Sequence, residues 1–211
     1  MPDSPTLERR AYPFALRAAL DGEDSRIVGH AAVFNADSLP LGDGWGETFI
    51  ERIAPGAFRD SLKTDDIRAL FNHDANFVLG RNRSSTLALS EDERGLAVDI
   101  DTPETNWARD LMRSMRRGDI DQMSFAFNVE KDDWVYDKKA DTVTRTLLAV
   151  RLFDVSVVTY PAYPQTDASV RSYLHERAAA LRTPPPSEPV IPLALYRRRL
   201  DLEAMAQGGY L

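Results

Sequence analysis

The chain has 211 residues, 43% of them hydrophobic, and a formal charge of −7. That length builds one globular domain with a real core and leaves about thirty residues for tails. The acidic balance argues against a nucleic-acid partner, because a phosphate backbone is usually gripped by a dominant basic surface that releases counterions. The absence of cysteine excludes disulfides, thiolate metal sites and a cysteine nucleophile, so any nucleophile must be a hydroxyl. No apolar run approaches the roughly twenty residues that span a bilayer, and the N-terminus lacks a basic flank before an apolar core. A soluble, unexported protein with no membrane partner is expected.

The first two-thirds of the chain read as strands and turns. Residues 14–19 and 27–34 are short apolar runs separated by Asp21-Gly22-Glu23-Asp24, which predicts a hairpin. Leu41-Gly42-Asp43-Gly44-Trp45-Gly46 is a glycine-rich loop able to move over a cleft. Residues 48–53 follow as an extended segment, and Pro55-Gly56-Ala57-Phe58 opens a short helix toward Leu62. Residues 67–71 form a buried-looking strand ending at His73, and residues 86–89 and 95–100 make a second hairpin about an acidic turn at 90–94. Thr102-Pro103-Glu104 supplies a cap, a proline at the first helical position and an early acid; Trp107, Leu111 and Met115 then recur every four residues until Gly118.

Strands are predicted at 123–129, 143–150 and 152–159, with residues 132–141 as a charged turn. Two prolines in Tyr160-Pro161-Ala162-Tyr163-Pro164 end the sheet, since neither can donate to a ladder. Residues 165–182 read as a helix with Val170, Leu174, Ala178 and Leu181 along one stripe. The proline-rich stretch 183–192 reads as a stiff linker, and residues 193–211 as a helical tail that docks on a partner.

A serine hydroxyl becomes a nucleophile when a neutral imidazole accepts its proton and a carboxylate holds the other ring nitrogen. Ser124 lies in Gln122-Met123-Ser124-Phe125-Ala126-Phe127-Asn128, where alternation puts Gln, Ser, Ala and Asn on one face and the bulky phenylalanines on the other. That face fits a solvated sheet surface or a cleft. Of the three histidines, His30 in an apolar strand and His175 on a charged helix face read as structural, which leaves His73 as the best base. Asp74 is disfavoured as the orienting acid, because neighbouring strand residues point to opposite faces. Asp154, Glu51 and Glu47 remain, and Asp154 is favoured if Phe153 and Val155 enter the core. A metal site at His73, Asp74 and Asp99 lacks a second histidine at ligand spacing. No phosphate loop or dinucleotide fingerprint appears, so no cofactor or metal is expected.

Six motifs occur in order: Gly29-His30-Ala31-Ala32-Val33-Phe34-Asn35, the stretch 49–58 ending in Ala54-Pro55-Gly56-Ala57-Phe58, Asn72-His73-Asp74, Leu79-Gly80-Arg81, Met123-Ser124-Phe125-Ala126-Phe127, and the stretch 154–164 opening with Asp154-Val155-Ser156. Across residues 12–170 the chain thereby resembles the prohead serine proteases of tailed bacteriophages. The resemblance implies an α+β fold, a mostly antiparallel β-barrel flanked by helices and distantly similar to herpesvirus assemblin. It implies a catalytic trio of Ser124, His73 and Asp154, although glutamate is frequent at the third position. The sequence does not identify the oxyanion donors: Arg81 is a candidate, but an arginine after a strand is more often a surface charge. The implied activity is cleavage of the scaffolding segment of the phage major capsid protein, and of the protease itself, inside the assembling procapsid in the host cytoplasm. Self-association there is expected too. The implied organisation is an N-terminal tail at 1–11, a protease domain at 12–182, the linker and the C-terminal tail. The competing reading is a catalytically silent capsid-assembly or scaffold protein that retains the fold.

Overall fold

The computed structural model describes residues 7–12, 17–18, 26–41, 48–160 and 168–182. The elements run β1 (Glu8–Tyr12), β2 (Arg17–Ala18), β3 (Arg26–Val33), β4 (Phe49–Ile53), α1 (Arg59–Thr64), β5 (Arg68–Phe71), β6 (Asp74–Arg81), β7 (Leu87–Glu91), β8 (Gly95–Asp101), α2 (Asn106–Arg117), β9 (Gln122–Asp137), β10 (Thr142–Val158) and α3 (Ala168–Arg182). Strands dominate and helices are few, an α+β composition. Among the described residues the strands form two sheets that do not close into a barrel. One follows the order β1-β9-β10-β5-β6 with β4 paired to β10, and the other runs β2-β3-β8-β7. Most neighbours are antiparallel, but β4 and β5 both pair with β10 in parallel.

The core lies between the sheets. Ile27, Val98 and Ile100 from the smaller sheet meet Phe125, Phe127, Val155 and Val157 from the larger, and α2 adds Leu111, Met112 and Met115. Phe125 stacks on Phe127 at 4.9 Å and meets Phe58 edge-on at 5.6 Å; each such pair is worth about 0.5–1.5 kcal/mol beyond its buried area. Phe125 and Phe127 thus anchor β9 as alternation predicts. The second helix starts later than the proline suggests: Thr105 caps it by accepting from Ala108 N–H, and Gly118, at φ +80°, ends it. In α3, Leu174 and Ala178 are buried, but Leu181 is exposed and leaves the predicted stripe. The loop at 42–46, Glu47 and everything from 183 onward lie outside the described residues.

Three elements differ from the sequence reading. The predicted turn at 132–141 is strand as far as Asp137: Asp132, Trp134 and Tyr136 share the half-buried face of a long β9–β10 hairpin, and Asp133, Val135 and Asp137 the exposed one. Residues 143–150 and 152–159 are one strand, β10, interrupted by bulges. Glu8 to Ala11, read as tail, belong to β1, whose charged side chains are buried because they find partners. Glu8 and Arg10 face inward opposite Phe127 and Phe125. Arg10 donates to Glu51 Oε1 at 2.7 Å and to Glu8 Oε2 at 2.5 Å, while Arg145 Nη1 donates at 3.0 Å to both Glu8 and Glu51 and Arg145 Nε at 2.8 Å to Asp132. Burial alone would raise the Glu8 carboxyl, but the two guanidinium groups outweigh it and hold its pKa below the ordinary value.

Candidate active site

The outer face of the larger sheet is organised in rows by strand register. Ala11, Ser124, Ser156 and Leu70 form one row across β1, β9, β10 and β5; Arg9, Ala126, Asp154 and Arg68 form the next. Side chains in a row share a face, and adjacent rows are two residues apart, about 6.5–7 Å along the strand. Ser124 and Asp154 are therefore diagonal neighbours on paired strands, with Ser156 directly beside Ser124.

Asp154 reaches this face through a bulge. Leu152 pairs with Phe127 and Asp154 with Ala126, leaving Phe153 as the extra residue. The alternation that favoured Asp154 put Phe153 in the core. Instead Phe153 turns outward, 38% exposed, with the Arg151 guanidinium over its ring. The bulge moves Leu152 inward and Asp154 outward, a switch that a regular strand cannot make.

His73 is delivered by a turn. Phe71 pairs with Asp74, and Asn72 and His73 both have positive φ, at 53° and 55°, the conformation of a two-residue hairpin turn of the primed type. Asparagine enters this region readily; histidine does so at a cost of about 1 kcal/mol or more, a strain concentrated at functional positions. The turn is clamped to the end of β10: Asn72 N–H donates to Val157 O at 2.8 Å, Asn72 Oδ1 accepts from Thr159 N–H at 2.9 Å, and Asn72 Nδ2 donates to Thr159 Oγ1 at 3.2 Å.

Held this way, the imidazole bridges both strands. His73 Nε2 lies 2.7 Å from Ser124 Oγ, and His73 Nδ1 lies 2.7 Å from Asp154 Oδ1. The carboxylate oxygen can only accept from Nδ1–H, which leaves Nε2 bare and ready to take the serine proton. Asp154 Oδ1 also accepts from Ser156 Oγ at 2.7 Å. Ser124 and Ser156 have no solvent exposure, and the His73 and Asp154 side chains are 7% and 13% exposed. Low dielectric strengthens each of these bonds.

The other candidates lie elsewhere. Glu51 is on the inner face in the buried ion cluster, and Asp74 caps Asn76. His30 pairs with Asp92, and Asp99 is engaged by Arg26; among the described residues no cluster of metal-ligating side chains occurs. Arg81, on the far edge strand, gives both Nε and Nη2 to Asp66, whose pKa is held down to about 2 chiefly by that hydrogen bond, with Arg68 and Arg83 adding to it. Sequence reasoning missed Ser156 and Thr159 as supports. The signals were a serine two residues after the acid and a threonine at the strand end.

The profile of caudovirus prohead serine proteases matches residues 13–179, a span that includes the whole trio. Over 150 residues the chain is 35% identical to the prohead protease of Enterobacteria phage HK97, an alignment covering 69% of this chain and 59% of that relative. The chain thus matches less than two thirds of the relative's length. No solved structure matches it. On the breadth of that match, the chain belongs to the caudovirus prohead serine protease family.

Proposed function

We propose that this chain is a serine endopeptidase of capsid maturation, with Ser124 as nucleophile, His73 as general base and Asp154 as the acid that orients it. The observation that carries the reading is the pair of 2.7 Å contacts through one imidazole. As Ser124 Oγ attacks a peptide carbonyl, its proton passes to His73 Nε2, and Asp154 stabilises the resulting imidazolium. His73 then protonates the leaving amine, and a water activated by the same histidine hydrolyses the acyl-enzyme. Because Ser124 is wholly shielded, this face must open as a substrate binds.

Family membership supports a substrate inside the procapsid: the scaffolding segment of the major capsid protein, with self-cleavage and self-association in the same compartment of the infected cell. A plan shared with herpesvirus assemblin fits a histidine that precedes the serine. Co-expression with the major capsid gene of the same phage tests the reading. A shortened capsid protein is expected with the natural chain and a full-length one with Ser124→Ala. Equal cleavage by both would remove Ser124 from the role, and no cleavage by either would favour a silent assembly protein.

A further inference from the structure

Besides the trio, the outer face of β9 carries three polar atoms that are shielded from solvent and have no hydrogen-bond partner: Gln122 Oε1, Asn128 Oδ1 and, from the neighbouring strand β1, Arg9 Nε. Buried polar groups are nearly always satisfied, and each exception raises the question of what completes it. These three are not scattered. Gln122 and Asn128 share the face of Ser124, two residues before it and four after, and Arg9 sits in register with Ala126, one row from Ser124. They trace a track of about six residues along one strand, roughly 20 Å, with the nucleophile inside it.

Arg9 stands out within the track. The inward residues of β1, Glu8 and Arg10, are locked into the buried ion cluster, and this fixes the register of the strand. A slip of one residue would drive Arg9 into the core and turn Arg10 outward. The same lock that buries Arg10 therefore presents Arg9 to the site. The acid in its own row, Asp154, is two strands away and already engaged by His73 and Ser156. The residue between them is Ala126, and the one opposite Ser124 on β1 is Ala11; both are small, so once this face opens neither fills the space beside Arg9.

We propose that Arg9 is a specificity-determining residue that receives an acidic side chain of the substrate, in a polypeptide laid extended along β9 with its scissile bond at Ser124. Gln122 and Asn128 flank that chain and supply hydrogen bonds to it on either side of the cut. An extended peptide offers donors and acceptors along its whole length, whereas a role confined to the reacting carbonyl would leave the outlying Gln122 and Asn128 unexplained. A planar guanidinium with a free nitrogen is suited to a carboxylate. This inference rests on the assignment of Ser124 as nucleophile.

The test is cleavage of a proteome-derived peptide library by the full chain, with the new termini mapped by mass spectrometry. The natural chain is expected to enrich aspartate or glutamate at one position within about four residues of the cut. Arg9→Met should lose that enrichment while still cutting neutral peptides, and Arg9→Glu should favour lysine or arginine there. For an acidic peptide against its amide counterpart, the kcat/KM advantage should fall by about 10- to 100-fold in Arg9→Met, the range for one charged hydrogen-bonded pair. Absence of acidic enrichment in the natural chain overturns the proposal whatever the variants do. An equal loss on acidic and neutral peptides in folded Arg9→Met also overturns it, pointing to the reacting carbonyl instead. Ser124→Ala separates the two assignments: persistent cutting in that variant refutes the nucleophile, whereas its loss, with no acidic preference in the natural chain, refutes Arg9 alone.

Discussion

Asp154→Asn is expected to lower kcat by about 10⁴-fold while leaving the melting temperature nearly unchanged. The carboxylate accepts at Oδ1 from both His73 Nδ1 and Ser156 Oγ, and this pins the proton on Nδ1. An amide is nearly isosteric but can turn its NH2 toward the ring. The proton then sits on Nε2, the nitrogen that faces Ser124, and the imidazole donates to the hydroxyl it should deprotonate. Single-turnover cleavage of capsid precursor measures the loss. Ser156→Ala serves as the companion: it deletes one of two donors to the same oxygen and keeps the tautomer, so a drop of about 10-fold or less is expected. Should Asp154→Asn stay within 10-fold of the natural chain, Asp154 does not orient the base.

Residue type and the polar face of β9 made Ser124, His73 and Asp154 candidates and the family resemblance joined them; the structure brings the three within hydrogen-bonding distance, but the reason Asp154 reaches that face was not legible. Alternation assigned Phe153 to the core; the bulge at 152–154 reverses it. Bulges depend on pairing with a partner strand, here Phe127 and Ala126 on β9, and no local pattern announces them. His73 shows the opposite case. Asn72 between two strand segments is half the signature of a primed hairpin turn, but a histidine where glycine is usual masks it, and the segment was read as a strand end. Thr159 supports the turn through a contact with Asn72 across 87 residues, a distance that spacing arguments cannot bridge, whereas Ser156 lies two residues from Asp154 and was a local signal left unused.

For the fold, periodic segments were the readable part. The core face of β9, the four-residue recurrence of α2 and the hairpin of β7 and β8 all follow from apolar spacing. The charged N-terminal segment was misjudged because propensity treats Glu8 and Arg10 as solvent-seeking, and only tertiary pairing makes their burial tolerable. The parallel pairing of β4 and β5 with β10 is likewise a property of topology. Nothing within Phe49–Ile53 or Arg68–Phe71 specifies direction relative to a strand about a hundred residues later in one case and eighty in the other.

That buried pairing carries the largest expected change in stability. Glu51 has no solvent exposure and accepts from Arg10 Nε at 2.7 Å, from Arg10 Nη2 at 3.1 Å and from Arg145 Nη1 at 3.0 Å. Glu51→Ala leaves two buried guanidinium groups sharing Glu8 and the partly exposed Asp132, and breaking such a cluster from one side costs about 3–5 kcal/mol. For a chain of this size the melting temperature should fall by about 6–20 °C, which scanning calorimetry reads directly. Replacing Glu8, Arg10, Glu51 and Arg145 together by apolar residues of similar volume should lose much less, because desolvation of the charges disappears along with their attraction. A drop as large in the fourfold variant would mean that packing, not charge, is what Glu51 contributes. Acid tests the same cluster. The folded pKa of Glu8 lies below its ordinary value of 4.5 because Arg10 and Arg145 overcome the burial that would raise it, so its contribution is complete above about pH 4.5 and is lost as pH falls through the lowered value. The natural chain should therefore lose melting temperature between pH 4.5 and pH 3 more steeply than the fourfold variant. Since the cluster sets the register of β1, Glu51→Ala should also disturb the rows at Ser124, and cleavage should fall even at temperatures where the variant remains folded.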